Sequence, residues 1–213
     1  MKIDKSAMLL YAVTDRSWLN GETLESIVEK VLQAGATFLQ LREKDLSDEE
    51  FLAEANKIKP LAQKYHIPFV INDNIEVAIK CGADGVHVGQ SDIVDKDVRA
   101  LVGPDMILGI SANTVETAKR AEASGADYIG VGAVFGTATK KDAQAISVER
   151  LREICAAVSI PVVAIGGINE HNILQLANSG VDGVAVISAI FAKPDVAAAT
   201  RALRKLSEKV VNG

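Results

Sequence analysis

The chain has 213 residues, of which 48% are apolar and 24% are charged, so it can form one large α/β domain with a well-filled core. Its net charge of −5 argues against broad nucleic-acid binding, and any anion must be held by a local cluster of basic groups. Two distant cysteines argue against a disulfide framework or a zinc site and favour the cytoplasm, and no apolar run reaches the roughly 20 residues of a membrane-spanning helix.

Apolar segments rich in β-branched residues recur along the chain and predict eight strands. The predicted strands are residues 9–14, 38–43, 69–72, 85–88, 107–110, 128–134, 162–165 and 183–187. Each is followed by an amphipathic segment that predicts a helix, and the helix after the second strand opens on a capping-box pattern, Ser47 with Glu50. Later helices are predicted around residues 95–101, 115–123, 148–158 and 170–179, with the last one beginning near Pro194.

A weak internal repeat supports this count of units. Gly35-Ala-Thr, Gly82-Ala-Asp, Gly125-Ala-Asp and Gly180-Val-Asp each close a helix just before an even-numbered strand. Eight β/α units in 213 residues predict a (β/α)8 TIM barrel that forms a single domain over residues 1–213. An open doubly wound sheet is the alternative fold.

Strands five to seven alternate branched residues with small ones. The branched set is Leu108, Ile110, Ile129, Val131, Val163 and Ile165. If it faces the helices, the small set faces the barrel axis and leaves room near the mouth of the barrel. Close packing alone would also explain the glycines.

Polar side chains follow several strands at their carboxyl ends, where α/β enzymes build their sites. Asp73 and Asp92 end neighbouring strands and suit Mg²⁺, although each could instead cap the following helix. Gln40, Arg42 and Lys44 are spaced two apart, which predicts a cationic stripe for an anion, or else an ion pair with a carboxylate such as Asp73.

Three later loops are candidates for phosphate binding. In Gly136-Thr-Ala-Thr-Lys140 the hydroxyls and a lysine suit a phosphate, but a solvated loop is the simpler interpretation. Gly166-Gly167 after strand seven and Ile187-Ser188 after strand eight occupy the usual phosphate-binding position of such barrels, and a tight turn is the competing interpretation. His87 is interpreted as a packed histidine, and no nucleophile is identified.

Together these segments resemble the thiamine-phosphate synthase family. The matching pieces are Gln40-Leu-Arg-Glu-Lys44, Ile71-Asn-Asp73, Val86-His-Val-Gly-Gln-Ser-Asp92, Gly109-Ile-Ser111, the segment from Gly132 to Ala143, Ala164-Ile-Gly-Gly-Ile168 and Val186-Ile-Ser188. The resemblance implies that a hydroxymethylpyrimidine diphosphate and a thiazole phosphate are joined, with release of pyrophosphate. Gly136 stands where a proline is expected in many relatives, a change that could loosen the loop.

The resemblance also implies roles for individual residues. Asp73 and Asp92 would bind Mg²⁺, with Arg42, Lys44 and Lys140 stabilising the leaving diphosphate. The pyrimidine diphosphate would be held by Gln40, Arg42, Lys44, Asn72, Ser111 and Lys140. The thiazole phosphate would be held by Thr137, Thr139, Gly167, Ile187 and Ser188.

Two other functions stay open. A thiazole tautomerase-like relative would keep the thiazole phosphate site without joining two substrates, and a phosphate-ligand sensor would bind without turnover. The set of Arg42, Lys44, Asp73, Asp92 and Lys140 argues against the tautomerase, because that chemistry has no pyrophosphate to stabilise. The complete set of residues for two substrate sites argues against the sensor. The expected partners are small-molecule substrates, and the sequence is compatible with a homo-oligomer.

Overall fold

The computed structural model of the chain describes residues 3–90, 97–136 and 145–213. Eight parallel strands form a closed barrel in sequential order, each strand pairing with its chain neighbours and β8 pairing with β1. This confirms the predicted (β/α)8 barrel and rules out the open sheet. Within the described ranges, no helix combines the length and the apolarity needed to cross a bilayer.

Short strands line the barrel and longer helices surround it. The strands are β1 Leu10–Val13, β2 Phe38–Leu41, β3 Phe69–Asn72, β4 Gly85–Val88, β5 Ile107–Ala112, β6 Tyr128–Val131, β7 Val162–Ile165 and β8 Gly183–Val186. The helices are α1 Leu24–Gln33, α2 Asp48–Lys64, α3 Ile75–Cys81, α4 Val98–Val102, α5 Val115–Ala123, α6 Val148–Ala157, α7 Ser188–Phe191 and α8 Val196–Asn212. The predicted capping box is present, with Ser47 and Glu50 each bonded to the other's backbone N–H.

The predicted helix over residues 170–179 is wrong. Only a single 3₁₀ turn, Ile173–Leu176, forms between β7 and β8. Asn169 and Asn172 precede it, and both side chains donate to the Gly167 carbonyl, at 3.1 and 2.9 Å. Asparagines that bond to nearby backbone compete with helix formation, and here they fold the segment into a loop.

The internal repeat has a structural meaning at the amino-terminal end of the strands, the base of the barrel. One side chain before each even-numbered strand accepts a backbone N–H from the preceding odd-numbered strand. Thr37 Oγ1 accepts from Leu10 at 2.8 Å, Asp84 from Phe69 at 2.8 Å, Asp127 from Leu108 at 2.9 Å and Asp182 from Val162 at 2.9 Å. We call Thr37, Asp84, Asp127 and Asp182 the base clasps.

Buried apolar side chains form two layers, one between strands and helices and one inside the barrel. The predicted alternation is right for β5 and β6, where Leu108 and Ile129 face the helices. It is wrong for β7, because Val163 and Ile165 pack inside the barrel while Ala164 faces outward. Residue size alone was a poor guide, since a large interior side chain can fill the space beside a glycine on the next strand.

The register shows this compensation directly. Val163 is paired with Gly130 of β6 and with Gly183 of β8. Gly109 is paired with Tyr128, whose ring and hydroxyl, together with His87 Nδ1, occupy the space that a Cβ at position 109 would need. The interior glycines therefore leave no empty room there; they make space for Tyr128 and His87.

Candidate active site

Strand alternation brings several of the predicted site residues to the inner face of the barrel near its mouth, the carboxyl end of the strands. Gln40 lies on β2, Asn72 at the end of β3 and Ser111 near the end of β5. Gln40 is 5% exposed, while Asn72 and Ser111 are half-buried. Three residues far apart in sequence thus surround one axis, as a barrel active site requires.

A chain of hydrogen bonds crosses the interior from β2 to β5. Gln40 Nε2 donates to the Tyr11 hydroxyl at 2.6 Å, and that hydroxyl lies 2.8 Å from the Tyr128 hydroxyl. The Tyr128 hydroxyl lies 3.0 Å from His87 Nδ1, and His87 Nε2 lies 3.0 Å from Ser111 Oγ. The aromatic rings of Tyr11 and Tyr128 pack edge to face at 5.9 Å between centroids. Two predicted binding residues are therefore joined through three side chains.

Arg42 follows β2 and its side chain is 13% exposed. Its Nη1 lies 3.5 Å from Asp15 Oδ2, so the carboxylate beside it is Asp15, and not Asp73 as the alternative interpretation suggested. Its backbone N–H donates to the fully buried Thr14 hydroxyl at 3.0 Å, which fixes the start of the loop. A guanidinium has five N–H donors, so one long contact to Asp15 leaves most of them for an anion.

Lys44 lies beyond the end of β2, because the strand stops at Leu41. Strand alternation therefore does not carry it to the same face as Gln40, contrary to the spacing argument. Lys44 is exposed. Between it and Arg42, Glu43 turns away to a two-pronged ion pair with Arg16, at 2.7 and 2.9 Å.

Asp73 directly follows β3 and is exposed. It does not cap the next helix, because the Asn74 side chain accepts the Val77 N–H at 2.9 Å and is the cap of α3. Asp73 adopts a left-handed backbone conformation, φ +59°, which is uncommon outside glycine and is often found at functional sites. Asn72 Nδ2 donates to its carboxylate at 2.6 Å, so the two side chains act as a pair.

The turn after β7 depends on both of its glycines. Gly166 has φ +102° and Gly167 has φ +66°, and a Cβ at either would overlap residues 133–136 after β6. Phe135 N donates to the Gly166 carbonyl at 3.0 Å, so the loops after β6 and β7 run side by side. Gly166 and Gly167 therefore form a tight turn, as the competing interpretation held. Phosphate binding by Gly167 stays a prediction. Ile187 and Ser188 form the junction of β8 with α7, where Ser188 is exposed.

Four of the predicted residues, Asp92, Thr137, Thr139 and Lys140, lie outside the described residues. Over residues 3–90, 97–136 and 145–213, no group of three or more His, Cys, Asp or Glu side chains is arranged around a common metal position. Asp73 is therefore the described member of the predicted Mg²⁺ pair, and a carboxylate that is not used as a helix cap fits a hard cation.

Sequence reasoning missed the interior roles of Tyr11 and Tyr128 and the contact of Asp15 with Arg42, and it treated His87 only as packing. Tyr11 and Tyr128 looked like ordinary strand residues because their contacts depend on the pairing of distant strands. One signal in the sequence could have indicated these interior residues. Gly109 and Gly130 lie beside space inside the barrel that only large side chains from neighbouring strands could fill.

Comparisons with known proteins agree with one another on family and fold. Residues 10–190 match a family model described as thiamine monophosphate synthase. The chain is 50% identical to a thiamine-phosphate synthase from Clostridium tetani over 88% of this chain and 90% of that one. It is also 50% identical to one from Ruminiclostridium cellulolyticum over 95% of each. A solved thiamine phosphate pyrophosphorylase from Pyrococcus furiosus superposes with a TM-score of 0.89 at 39% identity, covering 97% of this chain and 98% of that one.

Proposed function

We propose that this chain, which belongs to the thiamine monophosphate synthase family and is a transferase, joins 4-amino-2-methyl-5-(diphosphooxymethyl)pyrimidine to 4-methyl-5-(2-phosphooxyethyl)thiazole and releases pyrophosphate. The observation that carries the proposal is the position of Gln40, Asn72 and Ser111 on the inner face of the barrel, toward the carboxyl ends of β2, β3 and β5, in a chain whose relatives are named thiamine-phosphate synthase. We also propose that it works in the cytoplasm, since its two cysteines are free thiols.

The step that we propose is dissociative. The bond between the pyrimidine methylene carbon and the diphosphate oxygen breaks, and its electron pair leaves with the pyrophosphate. The resulting ring-stabilised cation is captured by the lone pair of the thiazole nitrogen, which forms the new carbon–nitrogen bond. Such a step needs no protein nucleophile, in agreement with the absence of a recognisable one in the sequence.

What the step needs is stabilisation of charge on the leaving diphosphate. Arg42 supports this role because its guanidinium is largely shielded from water and only weakly paired with Asp15 at 3.5 Å. We assign Lys44 and Lys140 the same role on the strength of the family motif, with Lys44 exposed and able to swing toward a ligand. Asn72 and Ser111 would orient the same substrate through neutral hydrogen bonds.

The thiazole phosphate would be held by backbone N–H groups at Gly167, Ile187 and Ser188, with Thr137 and Thr139 completing the contacts. Two features support this. Gly167 has no side chain to block a close approach of phosphate, and its carbonyl is fixed by Asn169 and Asn172. Holding the phosphate at a fixed place aims the ring nitrogen at the methylene carbon, which is an orientation effect.

Mg²⁺ is the ion that the donor set fits, and we propose that Asp73 and Asp92 would hold it. When bound, it would neutralise part of the charge on the departing diphosphate. Asn72 supports the assignment because its amide donates to the Asp73 carboxylate at 2.6 Å and so helps to orient it.

The deciding experiment measures pyrophosphate release with each substrate alone and with both, in the presence and absence of Mg²⁺. We expect release only when both substrates and the metal are present. Turnover of a thiazole phosphate isomer without the pyrimidine would identify a tautomerase-like enzyme. Binding of either substrate without product formation would identify a sensor.

A further inference from the structure

The hydrogen-bond chain from Gln40 to Ser111 has a direction, because each link needs one donor and one acceptor. The Gln40 amide nitrogen can only donate, so the Tyr11 oxygen is the acceptor of that link. Tyr11 is 1% exposed, and among the described residues its hydroxyl contacts only Gln40 Nε2 and the Tyr128 hydroxyl. The Tyr11 proton must therefore be donated to Tyr128.

The same assignment of donors and acceptors fixes the direction of the remaining hydrogen bonds. The Tyr128 oxygen accepts from Tyr11, so the Tyr128 proton is donated to His87 Nδ1. His87 is then a neutral imidazole that carries its proton on Nε2, and Nε2 donates to Ser111 Oγ. The Ser111 proton, which no link of the chain uses, is left for an acceptor at the mouth of the barrel.

Both tyrosines are suited to this task because they stay protonated. Burial raises the pKa of Tyr11 and of Tyr128 above the ordinary value for a phenol. Reversing one link alone would leave a buried hydroxyl proton without an acceptor, which is costly. Because the Gln40 amide nitrogen cannot accept a hydrogen bond, the chain runs in one direction, from Gln40 to Ser111.

The backbone of Ser111 is also held in place. Gln90 Nε2 donates to its carbonyl at 2.5 Å, and Arg120 in turn donates to the Gln90 side-chain oxygen at 2.5 Å. The freedom that remains at Ser111 is therefore the rotation of its hydroxyl, which is what His87 controls.

We propose that Tyr11, Tyr128 and His87 are positioning residues that couple the amide of Gln40 to the hydroxyl of Ser111. The coupled pair presents an acceptor, Gln40 Oε1, on one side and a donor, the Ser111 hydroxyl, on the other. It selects a ligand that offers a donor to Gln40 and an acceptor to Ser111. The identity of that ligand rests on the proposed function: the pyrimidine diphosphate carries an amino group that donates and diphosphate oxygens that accept.

The first test reads the tautomer of His87 in the free protein by NMR of ¹⁵N-labelled histidine, with His87→Gln used to assign its signals among the three histidines. We expect the Nε2-protonated neutral form in the wild type and a mixture of tautomers in Tyr128→Phe. Tyr65→Phe is the matched control, because it removes a hydroxyl that lies 3.4 Å from Glu29 on the outer surface. An Nδ1-protonated wild type, or an unchanged tautomer in Tyr128→Phe, would overturn the proposal.

The second test separates positioning from folding by kinetics. Tyr128→Phe should raise the KM for the pyrimidine diphosphate about fivefold, the effect of one hydrogen bond, and leave the KM for the thiazole phosphate unchanged. Combined with Ser111→Ala it should add little, because Tyr128 acts through Ser111. His87→Gln, which keeps a donor, should retain more pyrimidine affinity than His87→Leu.

Equal rises in both KM values, or additive effects in the double variant, would show a structural role and overturn the proposal. Should Tyr128→Phe fail to fold, Tyr11→Phe cuts the same chain one link earlier and is judged by the same criteria. A wild-type protein that makes no thiamine phosphate would refute the proposed function alone, because the tautomer measurement needs no substrate.

Discussion

The two ends of the barrel use their polar side chains in opposite ways. At the base, Asp127 accepts the Leu108 N–H and pairs with Arg99 at 2.6 Å, and Asp182 likewise serves a strand N–H and an ion pair with Lys5. At the mouth, a chain of hydrogen bonds joins the side chains of Gln40 and Ser111, and Lys44 is exposed. At the base, charged side chains therefore bond to the backbone and stabilise the fold. At the mouth, exposed side chains are accessible to a ligand.

The largest effect should come from the mouth. Lys140→Ala removes one of the proposed stabilisers of the leaving diphosphate, so we expect the rate of the chemical step to fall about 10²-fold. The urea midpoint should not change. The measurement is a single-turnover assay with both substrates and Mg²⁺, and wild-type turnover by the variant would remove Lys140 from the mechanism.

The opposite pattern is expected at the base. Asp127→Ala leaves the Leu108 N–H without its acceptor and Arg99 without its carboxylate, so we expect a loss of about 2 kcal/mol in the free energy of unfolding. Urea unfolding measures this loss, and Asp127→Asn is the matched control because its side-chain oxygen can still accept the N–H. A fall in kcat at unchanged stability would contradict the division between base and mouth.

The metal assignment predicts a change in a different quantity. Asp92→Ala should raise the Mg²⁺ concentration for half-maximal activity about tenfold, with kcat largely restored at saturating metal. Asp73→Asn should act in the same direction, whereas Asp15→Asn, beside Arg42, should leave the titration unchanged. A metal titration of Asp92→Ala that superposes on the wild type would dismiss the assignment.

The smallest effect should come from an ion pair between the loop after β7 and the segment after α7. Lys193 lies 2.7 Å from Glu170 and, by hydrogen bonding, lowers the pKa of that carboxyl from 4.5. A carboxyl group whose pKa is lowered in the folded protein stabilises the fold at pH values above its ordinary pKa. This stabilisation is lost as the pH falls through the lowered pKa. Lys193→Met should therefore cost less than about 0.5 kcal/mol at pH 7, since both side chains are about one-third exposed.

The pH dependence supplies the check. The difference in unfolding free energy between wild type and Lys193→Met should shrink as the pH is lowered through the carboxyl range. A difference that persists at low pH would mean that Lys193 contributes through packing of its stem.

Sequence predicted the parts of the structure that depend on local patterns. Strand positions followed from apolar runs, and the capping box of Ser47 with Glu50 followed from its spacing. The repeat that includes Asp84 and Asp127 was visible, yet its role was not, because the bonds join a loop to another strand.

Features that depend on three-dimensional pairing escaped prediction. The inward position of Val163 follows from the glycines on both neighbouring strands, and these neighbours are known only once the barrel is closed. The Tyr11–Tyr128 contact joins residues 117 apart for the same reason. Of the candidate site, alternation indicated the strand-end residues and the glycine-containing loops indicated phosphate binding, whereas the roles of individual residues came only from the family resemblance.

The base clasps link the strands strictly in twos: β1 with β2, β3 with β4, β5 with β6, and β7 with β8. The connection at residues 103–106, between α4 and β5, separates the second pair from the third without breaking any of these bonds. Each half of the chain keeps its own two clasps, which is the arrangement expected if complementary fragments, divided at that connection, are to reassociate into a whole barrel.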